Sequence, residues 1–240
     1  MTFSLAACDP ATGQLGLAAA TSDLAVGARV MWGQQGCGAV LTQHTTDPRL
    51  GPRGLRFLAA GMTAAQALDQ LVATADCAPA RQLALVDARG GSAAWAGEYV
   101  DPATAFTRAF DDFAVVGNML ADPSVGEAIA DWYRGHSDDD FAQRLVGSLA
   151  AGSAAGGEQL PLRSAAVKVY AEQEFAYVDL RVDRDADPIE ALAQLNAEYT
   201  PRRDDYVRRA LDPDVSYAAP YAPSARTSGD APPDEGPGSS

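Results

Sequence analysis

Apolar residues are grouped along the chain in two ways, in short runs typical of strands and in helically spaced sets typical of amphipathic helices. The first run, residues 2–9, is joined to a second, residues 14–23, by a segment that contains Pro10 and Gly13. Proline fixes φ at a value that turns use, and glycine readily adopts a positive φ, so the chain can reverse direction there. The sequence therefore predicts a β-hairpin that begins at the second residue.

The rest of the chain continues as groups of strands that alternate with pairs of helices. Thr63 and Gln66 have the form of a capping box at one helix start, and Pro188 lies in the first turn of another helix. Strands are predicted at 38–44, 81–87, 92–97, 113–120, 163–170 and 175–182, and helices at about 55–61, 63–72, 123–134, 138–151, 188–199 and 201–211. This order indicates an α+β fold, and layer packing permits both a four-layer α-β-β-α sandwich and a plainer α+β arrangement.

Composition divides the chain into a predicted folded domain, residues 1–212, and a predicted disordered tail, residues 213–240. The 240 residues are 47% apolar, which is enough for one sizeable core. From Pro213 onward Ser, Gly, Ala, Pro and Asp dominate without apolar periodicity, as in disordered segments. No run of eighteen apolar residues occurs and no signal peptide precedes Thr2, so we expect a soluble cytoplasmic protein.

Charge and cysteine content argue against several functions. The net charge of −14 disfavours binding to nucleic acid or to a membrane, because both attract cationic surfaces. The three cysteines lack Cys-x-x-Cys spacing and the two histidines are isolated, so we predict reduced thiols and no metal site. Neither a Walker loop nor a dinucleotide fingerprint occurs, and we predict no cofactor. The sequence leaves the oligomeric state open, a homo-oligomer included.

Thr2 carries the most specific chemistry that the local sequence offers. If Met1 is removed, as is usual before a small residue, Thr2 presents a hydroxyl and a free α-amine in one residue. An α-amine has an ordinary pKa of roughly 7.7–8.0 and can act as the general base that activates the hydroxyl. The local sequence leaves two interpretations open, a catalytic nucleophile and a β-branched residue that only begins a strand.

Two predicted strands end in polar side chains. Asn118 follows Gly117 at the tip of one strand, where its carboxamide could donate to a developing oxyanion, cap the helix that begins near Pro123 or adopt a left-handed turn. Gln43 and His44 end another strand, where side chains can line a cleft, although His44 could equally be a loop residue without a role.

Short motifs resemble, in the same order, a bacterial and archaeal family known as domain of unknown function 1028. They extend from residue 2 to about residue 195 and comprise residues 2–4, 9–13, 25–27, 36–40, 51–55, 81–82, 117–120, 163–166 and 179–183. The chain departs from the family pattern at residues 22–24, where other members often carry a Ser-His-Trp-like run, and at His44, where a small residue is commoner. Both departures touch the presumed pocket, so substrate choice is expected to differ here.

The resemblance places the chain among the N-terminal nucleophile (Ntn) hydrolases and implies the four-layer sandwich. It implies an amidohydrolase or small peptidase in which Thr2 attacks an amide bond of a small-molecule substrate, while Asn118 and backbone N–H groups near Ser22 stabilise the oxyanion. The predicted substrate-binding residues are Ser22, Asp23, Gln43, His44, Arg49, Arg81 and Arg163. Each arginine could clamp a substrate carboxylate or serve only as a salt-bridge partner.

A non-catalytic small-molecule binding protein on the same fold is the second hypothesis. Many enzymes of the superfamily carry a lysine close to the nucleophile, whereas the single lysine of this chain, Lys168, lies far along the sequence and is expected to face outward. The two hypotheses differ in whether the native protein loses Met1 and turns over an amide.

Overall fold

The computed structural model describes residues 1–212, and within them the chain forms ten strands and seven α-helices. The strands are β1 (Thr2–Cys8), β2 (Leu15–Thr21), β3 (Met31–Gln34), β4 (Gly38–His44), β5 (Arg81–Asp87), β6 (Ser92–Ala96), β7 (Phe106–Ala109), β8 (Phe113–Asn118), β9 (Ser164–Tyr170) and β10 (Val178–Val182). The α-helices are α1 (Val26–Arg29), α2 (Leu50–Ala59), α3 (Ala64–Thr74), α4 (Ser124–Gly135), α5 (Phe141–Ala154), α6 (Pro188–Tyr199) and α7 (Arg203–Leu211). Short 3₁₀ helices occupy Ala78–Ala80, Pro102–Thr104 and Thr200–Arg202.

The strands form two antiparallel sheets. Six strands are ordered β10-β9-β2-β1-β8-β7, and four are ordered β3-β4-β5-β6. Each pair of neighbouring strands in both sheets runs antiparallel. The described chain is thus a mixed α+β fold with two antiparallel sheets, which confirms the α+β part of the prediction.

β1 lies in the interior of the six-stranded sheet and is paired along both edges. The turn after it places Gly13 at φ 70°, and the Gly13 N–H donates to the Asp9 carbonyl at 2.8 Å. β2 returns along one edge in the predicted hairpin, and β8 pairs with the other edge so that Asn118 lies opposite Thr2. Because strands on both sides hold it, β1 places the second residue of the chain inside a sheet.

Side chains of β1 alternate between two apolar environments, as the pleat of a strand requires. Phe3 and Leu5 belong to a cluster that includes residues of α4, α5 and α6. Ala6 and Cys8 belong to a second cluster, which joins the six-stranded sheet to the four-stranded sheet. A third cluster packs the four-stranded sheet against α2 and α3. Both sheets therefore bury apolar residues on both faces.

Two strands and one helix lie where the sequence predicted none. β3 falls in a stretch between Ser22 and Gly38 that contains four glycines, and β7 precedes the predicted strand of β8. Both are four-residue strands at the edge of a sheet, and α1 is only four residues long. Pairing with β4 and β8 defines these strands, so a local pattern of residues could not reveal them.

The predicted division of the chain is only partly within the described residues. Met1–Arg203 form one compact unit, and a second unit begins at Asp204. The predicted tail, residues 213–240, lies outside the described residues. Among the helices of residues 1–212, none has the length and apolar character needed to cross a membrane.

Replacing two glycines of α4 should separate steric packing from helix propensity. A Cβ at Gly126 would lie 2.0 Å from the Phe106 ring, whereas a Cβ at Gly135 would meet nothing within 4 Å. We expect Gly126→Ala to lower the free energy of unfolding by about 1–3 kcal/mol because the core is overpacked. Gly135→Ala should be neutral or stabilising by up to about 1 kcal/mol. Urea denaturation of both variants measures the difference, and equal effects would contradict this packing.

Candidate active site around Thr2

The Thr2 side chain lies between the two sheets, on the face of β1 that also carries Ser4. Thr2 is only 7% exposed. Its hydroxyl donates to the Met1 carbonyl and lies 3.4 Å from the Thr21 hydroxyl on β2. The Thr21 hydroxyl in turn donates to the Met1 carbonyl at 2.6 Å. The buried Thr2 hydroxyl, at the first position of an interior strand, thus lies among polar neighbours. The Met1 carbonyl accepts hydrogen bonds from the hydroxyls of both Thr2 and Thr21.

Asn118 lies directly across from Thr2 at the end of β8 and is 1% exposed. Its Nδ2 donates to Gln82 Oε1 at 2.9 Å, while its Oδ1 is buried without a partner within residues 1–212. An NH₂ group carries two N–H bonds, so one remains for a second acceptor. The predicted positions of Thr2 and Asn118 therefore converge on one end of the sheet.

Gln82 on β5 fixes the direction of the hydrogen bonds at this end of the sheets. Its Nε2 donates to the Gly117 carbonyl at 2.8 Å and to the Phe106 carbonyl at 3.2 Å. A carbonyl can only accept a hydrogen bond, so this side of the Gln82 amide must be the NH₂ group. Its Oε1 must then be the acceptor that faces Asn118 and Gln43.

Gln43 continues this network toward β1. Its Nε2 donates to Gln82 Oε1 at 2.8 Å and to the Thr2 carbonyl at 3.4 Å, and its Oε1 accepts from the Ser4 hydroxyl at 2.5 Å. Gln43 and Gln82 are fully buried. The predicted site residue Gln43 therefore contacts the Thr2 backbone, whereas its amide groups are bonded within the protein.

Ser22 leads to a buried acid that the sequence interpretation missed. The Ser22 N–H donates to Glu158 Oε2 at 2.9 Å, and Glu158 is 7% exposed. Burial raises the pKa of the Glu158 carboxyl, although the Ser22 N–H and the positive amino terminus oppose the shift. In the sequence the only signal was a lone acid directly after the pair of glycines at 156–157.

The loop that carries Glu158 is attached to the segment that follows Asn118. The Ala121 N–H donates to the Gly157 carbonyl at 3.0 Å, and the Gln159 N–H donates to the Met119 carbonyl at 3.2 Å. Leu120 and Glu158 form an isolated antiparallel bridge. These backbone bonds bring a residue 40 positions away in sequence to the end of β8.

Asp23 lies outside this buried group although it directly follows Ser22. It is exposed, and its carboxylate lies 3.3 Å from Arg29. Hydrogen bonding to the Leu24 N–H and the charge of Arg29 lower the pKa of the Asp23 carboxyl. The Asp23 N–H donates to the Thr21 hydroxyl at 3.3 Å. Backbone N–H groups near Ser22 were predicted as oxyanion donors, and those of Ser22 and Asp23 are both bonded within the chain.

Arg49 and Arg81 are engaged by acids and carbonyls away from Thr2. The Arg49 side chain is 65% exposed and bonds to Asp47 at 2.8 Å and to Asp76 at 3.0 Å. Arg81 is buried, donates to the Asp76 carbonyl at 2.9 Å and to the Thr45 carbonyl, and lies 3.9 Å from Asp47. These contacts match the structural interpretation of the two arginines, and their roles in substrate binding stay predictions.

The side chains of His44 and Arg163 contact residues other than Thr2 and its polar neighbours. His44 adopts φ 68°, and its Nδ1 lies 3.0 Å from the Ala80 carbonyl. Arg163 is exposed and lines a surface cleft with Arg184, while its backbone N–H donates to the Thr21 carbonyl at 2.8 Å. The structure thus joins Arg163 to the site by its backbone.

Lys168 was predicted to face outward, but its side chain is mostly buried. Its side chain is only 14% exposed, and its ammonium lies 3.5 Å from the Asp179 carboxylate. It lies opposite Leu17 in the sheet, whereas Ser164, four residues earlier on β9, lies opposite Thr21. The lysine is thus partly buried and paired, at a different level of the sheet from Thr2.

Cysteine, histidine and acidic residues do not cluster within residues 1–212. No group of three or more of them could hold a metal ion in this part of the chain. Cys8, Cys37 and Cys77 are free thiols, of which Cys8 is buried and Cys77 is exposed. The side chains of the buried group around Thr2 carry hydroxyl, amide and carboxyl groups.

The fold and this site can now be compared with known proteins. The sequence model of a family of unknown function, DUF1028, matches residues 2–192. The match spans most of the chain, and the chain belongs to this family. The search of curated proteins gives no significant match.

Two solved structures resemble the chain to different degrees. The crystal structure of protein SPO2555 from Silicibacter pomeroyi, assigned to the same DUF1028 family, is 34% identical, with 83% of this chain and 86% of that chain covered and a TM-score of 0.76. Anbu (ancestral beta-subunit) from Yersinia bercovieri is 14% identical, with 82% of this chain and 93% of that chain covered and a TM-score of 0.40. The first likeness agrees with the family assignment, and the second is too low to support one.

Removing the Gln82 side chain should destabilise the protein strongly. Gln82→Ala removes the acceptor that the buried Nε2 of Gln43 and Nδ2 of Asn118 share, so Asn118 loses its partner and Gln43 Nε2 keeps only the Thr2 carbonyl at 3.4 Å. An unsatisfied buried group costs roughly 1–3 kcal/mol. We expect the free energy of unfolding to fall by about 2–4 kcal/mol in urea denaturation. Gln194→Ala is the matched control, because Gln194 is exposed and its amide bonds to the exposed side chain of Glu190. Equal effects of the two substitutions would show that the network contributes little to stability.

Proposed function

We propose that the protein is an N-terminal nucleophile hydrolase that cleaves an amide bond of a small molecule through Thr2. The observation that carries the proposal is the buried Thr2 hydroxyl at the first position of an interior strand, between two sheets. After loss of Met1, the hydroxyl and the α-amine would belong to one residue held by sheet pairing. Such a residue combines nucleophile and base, and it needs neither histidine nor metal.

The proposed reaction has two steps. Thr2 Oγ1 attacks the amide carbonyl and passes its proton to the Thr2 α-amine, which delivers a proton to the leaving amine as the C–N bond breaks. Water then adds to the resulting ester, the amine accepts a proton from that water, and the hydroxyl of Thr2 is regenerated with release of the carboxylic acid. The second N–H of Asn118 would donate to the oxyanion in both steps.

The fold that we propose for this chemistry is the four-layer α-β-β-α sandwich. Three apolar clusters support it, since they connect α4–α6 to the six-stranded sheet, that sheet to the four-stranded sheet, and the four-stranded sheet to α2 and α3. In this arrangement Thr2 lies at one end of the space between the two sheets.

A non-catalytic binding protein is the second candidate, and one observation favours it. The Asn118 Nδ2 already donates to Gln82, and the N–H groups of Ser22 and Asp23 are bonded within the chain. Donors that are already bonded are weaker oxyanion ligands than free ones. On this interpretation the same group would bind a small molecule without reacting with it.

Substitution of Thr2 separates the two candidates. We expect native protein to lack Met1 by intact mass and to hydrolyse at least one member of an amide library screened by mass spectrometry. Thr2→Ala should lower turnover by about a thousandfold or more, as loss of a nucleophile does, and should change the melting temperature little. Thr2→Ser is the matched control and should retain part of the activity, because it keeps the hydroxyl and the amine. Full turnover by a preparation that retains Met1 would rule out the mechanism.

Asn118→Ala tests the proposed oxyanion donor. We expect kcat to fall by about a hundredfold or more once a substrate is found, because one donor contributes roughly 2.7–4 kcal/mol to transition-state stabilisation. Activity is measured per folded molecule, with Gln82→Ala as the control that disturbs the same network without removing the Asn118 amide. Normal activity per folded Asn118→Ala molecule would show that Asn118 is structural.

A further inference from the structure

Glu158 is a buried carboxylate with one oxygen left unpaired. Oε2 accepts a hydrogen bond from the Ser22 N–H at 2.9 Å. Oε1 is buried without a hydrogen-bond partner within residues 1–212. Burying a carboxylate is costly unless a cation or several donors compensate, so a native protein rarely retains such an oxygen without use. The geometry therefore indicates that Oε1 receives a donor that the chain with Met1 in place does not supply.

The amino terminus is the positive group that acts on Glu158. Two charges influence this carboxyl, the terminal ammonium, which lowers its pKa, and Asp23, which raises it. Asp23 is exposed and is itself paired with Arg29. Within residues 1–212 the terminus is therefore the charge that favours the ionised form of a carboxyl that burial otherwise pushes toward the neutral form.

Two adjacent residues, Thr21 and Ser22, hydrogen-bond to Met1 and to Glu158, respectively. The Thr21 hydroxyl donates to the Met1 carbonyl at 2.6 Å, and the next residue, Ser22, donates its N–H to Glu158. Met1 is half-buried in this position. Its removal would vacate this space and convert the Thr2 nitrogen from an amide into an ammonium with three N–H donors.

We propose that Glu158 binds the α-ammonium of processed Thr2 through Oε1 and thereby positions the amine next to the Thr2 hydroxyl. This inference rests on the proposed function, because it assumes that Thr2 becomes the first residue. Glu158 is then a positioning residue, since it acts on the reacting carbonyl only through the amine. An adjacent carboxylate stabilises the charged amine, so the neutral, basic form of the amine appears at higher pH than in a free terminus.

The ionisation of the Thr2 amine tests this assignment directly. Protein whose first residue is Thr2, produced by cleavage of a removable leader, is treated with limiting acetic anhydride at a series of pH values, and the labelled terminus is quantified by mass spectrometry. We expect Glu158→Gln to lower the amine pKa by about one unit or more, because an opposite charge at contact distance is lost. Glu190→Gln is the matched control and should leave the amine pKa nearly unchanged, since Glu190 is exposed, bonds to Gln194 and lies on α6, which packs on the opposite face of the sheet from Thr2. Equal shifts, or no shift in Glu158→Gln, would overturn the proposal.

A second measurement avoids substitution of a buried residue. The carboxyl carbon of Glu158 is titrated by NMR in the chain that retains Met1 and in the chain that begins at Thr2. We expect the pKa of Glu158 to be lower in the chain that begins at Thr2, because the ammonium then binds Oε1 directly, whereas with Met1 in place it acts without a hydrogen bond to that oxygen. The same pKa in both chains would overturn the proposal even if Glu158→Gln fails to fold.

The amine measurements also distinguish this inference from the proposed function. In a Thr2→Ala background the amine is present without the nucleophile, so its dependence on Glu158 is measured without any turnover. A Glu158-dependent amine pKa together with no hydrolysis of any amide would uphold the inference and contradict the enzyme. Normal hydrolysis together with an amine pKa independent of Glu158 would uphold the enzyme and overturn the inference. In an active enzyme, Glu158→Gln should also move the acidic limb of the kcat/KM profile to lower pH.

Discussion

Antiparallel pairing on both edges of β1 is the constraint on which the rest of the site depends. β2 fixes one edge through a tight turn, and β8 fixes the other edge, so that Thr2 and Asn118 lie opposite each other. A residue next to a chain terminus ordinarily frays, and a frayed hydroxyl would have no defined neighbours. Here the sheet gives Thr2 a fixed backbone, a buried side chain and a set of polar contacts that follow from the register.

The hydrogen-bonded amides of Gln43, Gln82 and Asn118 lie between the sheets next to Thr2, and the direction of each of their hydrogen bonds is fixed. Because two backbone carbonyls orient the Gln82 amide, Gln43 and Asn118 must both present N–H groups to its oxygen. The orientation of three buried amides thus follows from the sheet backbone. A buried network of this kind specifies one arrangement of the two sheets, since any sliding between them would leave donors unsatisfied.

Sequence patterns predicted the parts of this structure that depend on neighbours in the chain. The first hairpin, the capping box at Thr63 and the strand of β4 follow from local turn, cap and strand signals, and all three are confirmed. β3 and β7 were missed because four residues at a sheet edge are defined by their pairing partner. Glu158 was missed for the same reason, since backbone bonds between distant loops bring it to Ser22.

One face of β1 packs in an apolar core and the other carries hydroxyl groups, and this difference has an evolutionary consequence. Phe3 and Leu5 must fill an apolar core, whereas Thr2 and Ser4 face the polar group between the sheets. Substitutions at Phe3 or Leu5 therefore act on apolar packing, whereas substitutions at Thr2 or Ser4 act on hydrogen bonds between the sheets. A lineage built on this strand can exchange the polar residues together with their hydrogen-bond partners, and so change the character of the space between the sheets, while the apolar face keeps the same folded scaffold.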